Sequence, residues 1–152
     1  MRLEHLFHLH ADLKEPIDLG AGPLGNRQIF DVIGGHFQGP GLKGQLLASG
    51  ADWLLIGPDG VGRLDVRATL QTDDGALVYV QYPGVAVFNE AVMNALATGS
   101  ETQFGDTDFF TQPRFETGHP NYAWLNSVVA VAEGRVLPNA VEYNVSRVLN
   151  DA

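Results

Sequence analysis

The sequence predicts one mostly-β domain, a single antiparallel closed β-barrel of about eight strands with one short helix, and three observations lead there. Eighteen glycines and eight prolines cut the 152 residues into short pieces, the pattern of many strands joined by tight turns. Leu64–Thr72 alternates without a slip, with Leu64, Val66, Ala68 and Leu70 on one face and Asp65, Arg67, Thr69 and Gln71 on the other. A single segment carries helical periodicity. Antiparallel strands with one helix must sandwich or close, and closure removes the free edges that invite aggregation.

Taken in order, Leu3–Asp12 and Arg27–Phe37 read as strands, joined by the Pro/Gly-rich connection Pro16–Gly25. Gly39-Pro40-Gly41 turns the chain into a strand over Leu42–Ser49. Ala51–Gly57, Val61–Thr72 and Ala76–Tyr82 form a three-strand meander, because Pro58-Asp59-Gly60 and Asp73-Asp74-Gly75 separate them and Asp-Gly supplies the positive φ angles of hairpin turns. Asn89 caps the helix, Ala91, Val92, Met93, Ala95 and Leu96 give it an apolar stripe, and Gly99 ends it. Ser100–Pro120 is long for a loop and carries Phe104, Phe109, Phe110 and Phe115, which predicts packing across the domain as a lid. Tyr122–Ala132 and Ala140–Leu149 are expected to form the last hairpin.

Composition narrows the chemistry. One domain over residues 1–152 is long enough to bury a core without disulfides or metal. Nine Lys+Arg against 18 Asp+Glu give a formal charge of −9, which repels phosphate backbones and anionic bilayers, so neither nucleic acid nor membrane is expected as a partner. With no cysteine, the residues left for chemistry are carboxylates, His, Tyr, Ser/Thr, Lys and Arg. Charges and histidines break any apolar run in residues 1–20, which reads as neither signal peptide nor spanning helix and gives an expected cytoplasmic location. His8 and His10 share a strand face, with His5, His36 and His119 as further donors, but no metal signature emerges and a solvated or interfacial role is expected. Nucleophile-elbow, phosphate-loop and dinucleotide patterns are absent, and no cofactor is expected.

Several stretches together resemble one family: Gly22-Pro23-Leu24-Gly25-Asn26-Arg27, Gly34-Gly35-His36-Phe37-Gln38-Gly39-Pro40, Gly50-Ala51-Asp52-Trp53, Leu64-Asp65-Val66-Arg67, Thr72-Asp73-Asp74-Gly75-Ala76, and Pro113-Arg114-Phe115-Glu116-Thr117 followed by Tyr122-Ala123-Trp124-Leu125-Asn126. They are similar to the domain-of-unknown-function family 3237, small cytoplasmic β-barrel proteins of bacteria and fungi. The resemblance runs from about Gly22 to Val148 and departs from the family pattern around Asp106–Gln112 and in the histidine-rich first strand. It implies a self-associating barrel, a dimer or trimer, shaped like allene oxide cyclase and dirigent barrels. It also implies cofactor-free ring closure of the kind attributed to a fungal member, with Asp52, Asp65, Arg67, Tyr79, Glu116 and Asn126 as the recurring polar positions.

The residues themselves leave alternatives. Asp65 and Arg67 project to one face, and their pair is either a solvated ion pair or, inside a barrel, a fixed anion or hydroxyl binder. Joined to the meander and the resemblance, the polar face is expected to point inward, with Asp65 supporting and Arg67 contacting. Asp52 shares its face with Leu54 and Ile56; it either accepts backbone hydrogen bonds at a turn or sits in a dry pocket, where its pKa would rise toward neutrality. Tyr122, Trp124 and Asn126 on one strand face suit a flat organic ligand or a satisfied core. Tyr79 is a proton donor or a plug. The leading expectation is a cofactor-independent isomerase, cyclase or lyase acting on a small aromatic or enolisable molecule. Asp52 and Glu116 would transfer protons, Arg67 and Asn126 orient an oxygen, Tyr79 assist, and Asp65, Tyr122 and Trp124 help bind. The rival is a barrel that carries the same ligand unchanged.

Overall fold

Eight staves with apolar inner faces close this chain into an antiparallel barrel in the computed structural model, which describes Met1–Ala152. The elements are β1 (Arg2–Leu13), β2 (Ile17–Gly22), β3 (Gly25–Gly39), β4 (Leu42–Ile56), β5 (Val61–Thr72), β6 (Leu77–Val87), α1 (Glu90–Thr98), β7 (Phe109–Thr111), β8 (Arg114–Glu116), a 3-10 helix (Pro120–Ser127), β9 (Ala130–Leu137) and β10 (Ala140–Leu149). Around the barrel the order is β1, β10, β9, β7, β6, β5, β4, β3, and β3 closes back onto β1 through pairs such as Leu9 with Phe37. β2 extends β3 beyond the barrel wall, and β8 adds to β6. No helix is long and apolar enough to cross a membrane.

Inward residues fill one end of the barrel. Phe7 meets Phe37 and Phe115 edge-on, with ring centroids 5.6 and 5.9 Å apart, and Leu70, Val78 and Val145 close around them. The α1 helix follows its expected bounds: Asn89 accepts from the Val92 N–H, and Gly99 adopts φ 65°, a left-handed value that suits a residue without Cβ.

Four expectations are corrected. Leu42–Ser49 and Ala51–Gly57 are one strand, β4, which slips register between Leu46 and Gly50 instead of turning. Gly50 permits this: its φ is +98°, and a Cβ there would lie 2.0 Å from the Arg67 carbonyl oxygen, so a glycine bulge bends the strand around the barrel. The Pro16–Gly25 connection contains β2, paired with β3. Ser100–Pro120 is no lid, because β7 within it supplies a stave and places Phe109 inside while Phe110 is 57 % exposed. Pro120–Ser127 is helical rather than extended; His119 accepts from the Asn121 N–H and Pro120 opens the helix, so β9 starts only at Ala130.

A fifth correction concerns the direction of β5. Leu64, Val66, Ala68 and Leu70 face the interior, whereas Asp65 and Arg67 face solvent. An unpaired guanidinium inside would lose hydration with nothing to replace it, and the aliphatic face loses only contact with water by turning in.

Candidate functional site

The far half of the barrel is not filled. There a cavity of about 670 Å³ opens to solvent, a volume that encloses a drug-sized molecule. Its walls are aliphatic and aromatic, with Leu54 and Ile56 from β4, Leu64 from β5, Ala86 from β6 and Val141 from β10. Helix α1 forms one side of the mouth. Met93 and Leu96 are 53 and 54 % exposed because they line this opening rather than pack in the core.

One carboxylate stands on that wall. Asp52 comes inward with Leu54 and Ile56 because the three alternate along β4, and it lies between Phe30 on β3 and Val66 on β5. Its Oδ1 accepts the Asp65 backbone N–H at 3.1 Å, where the β4–β5 ladder has opened between its Asp52–Val66 and Leu55–Arg63 pairs. Its Oδ2 has no protein partner and is not sealed from the cavity. Both readings of this residue therefore meet in it: it satisfies a backbone donor and it faces a pocket. Burial pushes the carboxyl up to about 7; the Asp65 N–H opposes this, the Asp65 carboxylate adds to it, and the Arg27 guanidinium draws it back slightly.

Two phenols, which sequence reasoning missed, add to the polar content of the interior, where Thr111 also borders the void. Tyr143 on β10 lines the same cavity, and Tyr82 on β6 stands beside Asp52 in a small void of about 40 Å³ that continues it toward the packed end. Their rings meet edge-on at 5.4 Å, and Phe109 braces Tyr143 at 5.5 Å. Burial, together with the neighbouring phenol and Asp52, raises Tyr143 well above the ordinary tyrosine value; burial likewise raises Tyr82. Both stay neutral donors across the physiological range. The available signal was a tyrosine inside an apolar period-two run, Val78-Val80-Tyr82 and Val141-Tyr143-Val145.

The other expected site residues lie elsewhere. Asp65 and Arg67 are on the outer wall, where Arg67 stacks 5.7 Å from the Trp53 ring. Tyr79 and Glu116 face each other across β6 and β8, also outside. Asn126 clasps one residue, accepting the Thr117 N–H at 2.8 Å and donating to the Thr117 carbonyl at 2.9 Å. Tyr122 donates to Asp74, tying the 3-10 helix to the β5–β6 turn, and Trp124 lies under the Arg147 guanidinium at 5.7 Å. Of the eight, Asp52 alone reaches the cavity. The inward convergence of Asp52, Arg67, Glu116 and Asn126 is corrected: a barrel wall has two sides, and the latter three belong to the outer surface or to a cap.

The first-strand histidines form an outer network. His10 bridges Glu142 at 2.8 Å and Asp12 at 2.9 Å and stacks on His36, while His8 contacts Asn144 at 3.1 Å. Glu142 also receives Arg135. Burial works against the Glu142 charge, but these hydrogen bonds from His10 and Arg135 outweigh it and hold the carboxyl down at about 2. The network fastens β1 to β10 and β9 at the barrel seam.

The pattern of a described family, protein of unknown function DUF3237, matches residues 1–148. The chain belongs to the DUF3237 family. Similar relatives include a UPF0311 protein of Rhodopseudomonas palustris, 33 % identical over 149 residues that cover 98 % of this chain and 97 % of the relative. A crystal structure of a conserved R. palustris protein of unknown function superposes with a TM-score of 0.89 at 34 % identity, covering 98 and 99 % of the two chains. The crystal structure of a β-barrel-like protein of Acinetobacter baumannii gives 0.82 at 35 % identity, over 96 and 94 %. This DUF3237 chain thus shares its barrel with crystallised proteins across nearly its whole length. A PR-toxin biosynthesis cluster protein of Penicillium roqueforti is more remote, at 23 % identity over 155 residues, covering 90 % of this chain and 83 % of the relative.

Proposed function

We propose that this barrel takes a small, largely apolar organic molecule into its open half and moves a proton on it, with Asp52 as general acid or base and no cofactor. The observation that carries the reading is a lone carboxyl on an apolar cavity wall, which burial pushes up to about 7. Near neutral pH such a group is present in both forms, so it can take a proton and return it within one turnover. Tyr143, a neutral donor on the same cavity, supplies a hydrogen bond to an oxygen that gains negative charge in an enolate-like transition state. Isomerisation, cyclisation or elimination of an enolisable substrate all fit this equipment. The membership of one remote relative in a toxin-biosynthesis cluster is in keeping with small-molecule chemistry.

A specific feature favours a second reading, a non-catalytic carrier: the cavity is overwhelmingly apolar and holds only one group able to exchange a proton near neutral pH. Deuterium exchange separates the two. Incubated in D₂O with bicyclic enolisable ketones such as 2-tetralone, the native protein is expected to accelerate α-proton exchange, and Asp52→Asn to lose at least about a hundredfold of that acceleration. Ketone binding with no exchange above the Asp52→Asn background would instead establish the carrier.

A further inference from the structure

The cavity is mostly apolar inside, and Lys14, Gln28 and Asn139 give it a polar rim. Lys14, immediately after β1, lines the opening and is the one cationic residue that does so. It is one of two lysines in a chain of net charge −9, and the other, Lys43, lies 3.9 Å from Asp73. Lys14 and Asn139 also line an adjoining cleft with Asp12 and Glu15, yet Lys14 has no carboxylate within ion-pair distance. Asp12 is occupied by His10. Beside Lys14 on the rim is Asn139, in the β9–β10 turn, held at φ 52°. Its backbone carbonyl accepts the Leu13 N–H, which anchors the turn against the end of β1, and its side-chain amide is uncommitted. Gln28, the third polar residue of the rim, donates to Asn26 and keeps its carbonyl oxygen free.

From this arrangement we infer that the natural ligand is an amphipathic acid, whose apolar body enters the barrel and whose anionic oxygen head is held at the rim by Lys14 and Asn139. The inference rests on the cavity being the ligand chamber. An ammonium and an amide donor facing one opening satisfy a carboxylate, which accepts several hydrogen bonds at once. The protein's overall field points the other way, since nine excess negative charges favour a cation near the surface. A preference for an anion must therefore come from the rim. The same geometry assigns direction: with the acid head at Lys14, the deep end of the ligand is the part brought toward Asp52.

Three ligands of equal chain length and different head charge test this: decanoate, decanol and decyltrimethylammonium, titrated calorimetrically into the full chain at low ionic strength, below their micellar concentrations. The expected order of affinity is decanoate, then decanol, then the cation. Lys14→Met should weaken decanoate about tenfold and leave decanol within about twofold, while Lys14→Arg should retain most of the decanoate affinity. Equal decanoate affinity in native protein and Lys14→Met, or a native preference for the cation, overturns the acid-head assignment and leaves the chamber standing. Failure of all three to bind the folded native protein overturns the chamber as well.

Discussion

A carboxyl group set on an aliphatic strand face gives up hydration, and Asp52 recovers only part of it from the Asp65 N–H. The consequence for stability has a definite sign. Its folded pKa, about 7, lies above the ordinary value of 3.8, so the native state prefers the protonated form. The stability of that form is fully present below about pH 4, falls as pH rises through about 7, and is lost above it. Asp52→Asn keeps an acceptor for the Asp65 N–H and carries no charge. It should match the native protein in urea denaturation near pH 4 and exceed it by about 2–4 kcal/mol at pH 8. A difference independent of pH would contradict the burial of that charge. The carboxylate was legible in the sequence because it interrupts an aliphatic face, an anomaly that survives any choice of register. Arg67 was not placed correctly, because alternation reports that two faces differ and is silent on which is inside, and Glu116 was read from its aromatic neighbour Phe115, whose burial turns Glu116 outward. Asn126 was open to two readings, a ligand residue or an amide satisfied by the backbone, and the second holds, with the Thr117 backbone brought close by the 3-10 helix.

At the scale of elements, local signals were most reliable where one residue type carries the geometry. Asn89 and Gly99 bound the helix as expected, and the Asp-Gly turns fall between β4, β5 and β6. They failed where a glycine bends a strand without ending it. Gly50 produces the same sequence signature as a turn, yet β4 continues through it to deliver Asp52 to the cavity. Gly50→Ala must force a left-handed backbone on alanine and press its Cβ against the Arg67 carbonyl. It should cost about 2–4 kcal/mol in chemical denaturation and, by shifting the strand two residues before Asp52, impair function beyond the stability loss. An unaffected protein would mean that the bulge plays no part in placing the site. The aromatic stretch Tyr122–Asn126 was read as strand because its residues suit one, and proline at the helix start decided otherwise.

Over the whole molecule, the barrel divides its labour along its axis. Phe7, Phe37 and Phe115 close one end and carry the packing, which leaves the other end free to stay open without unfolding the wall. Closure was legible from strand number and turn spacing; the unequal filling of the two ends was not, since it depends on which inward residues meet across the interior. The account rests on Asp52 being a cavity acid that titrates near neutrality. Its most direct test is a ¹³C NMR titration of the Asp52 side-chain carboxyl, assigned by its loss in Asp52→Asn, with the cavity empty and with it filled by decanol. The account predicts a midpoint near 7 in the empty barrel, moving upward when decanol displaces water from around the carboxyl. A midpoint near 4 that ignores the alcohol would contradict it.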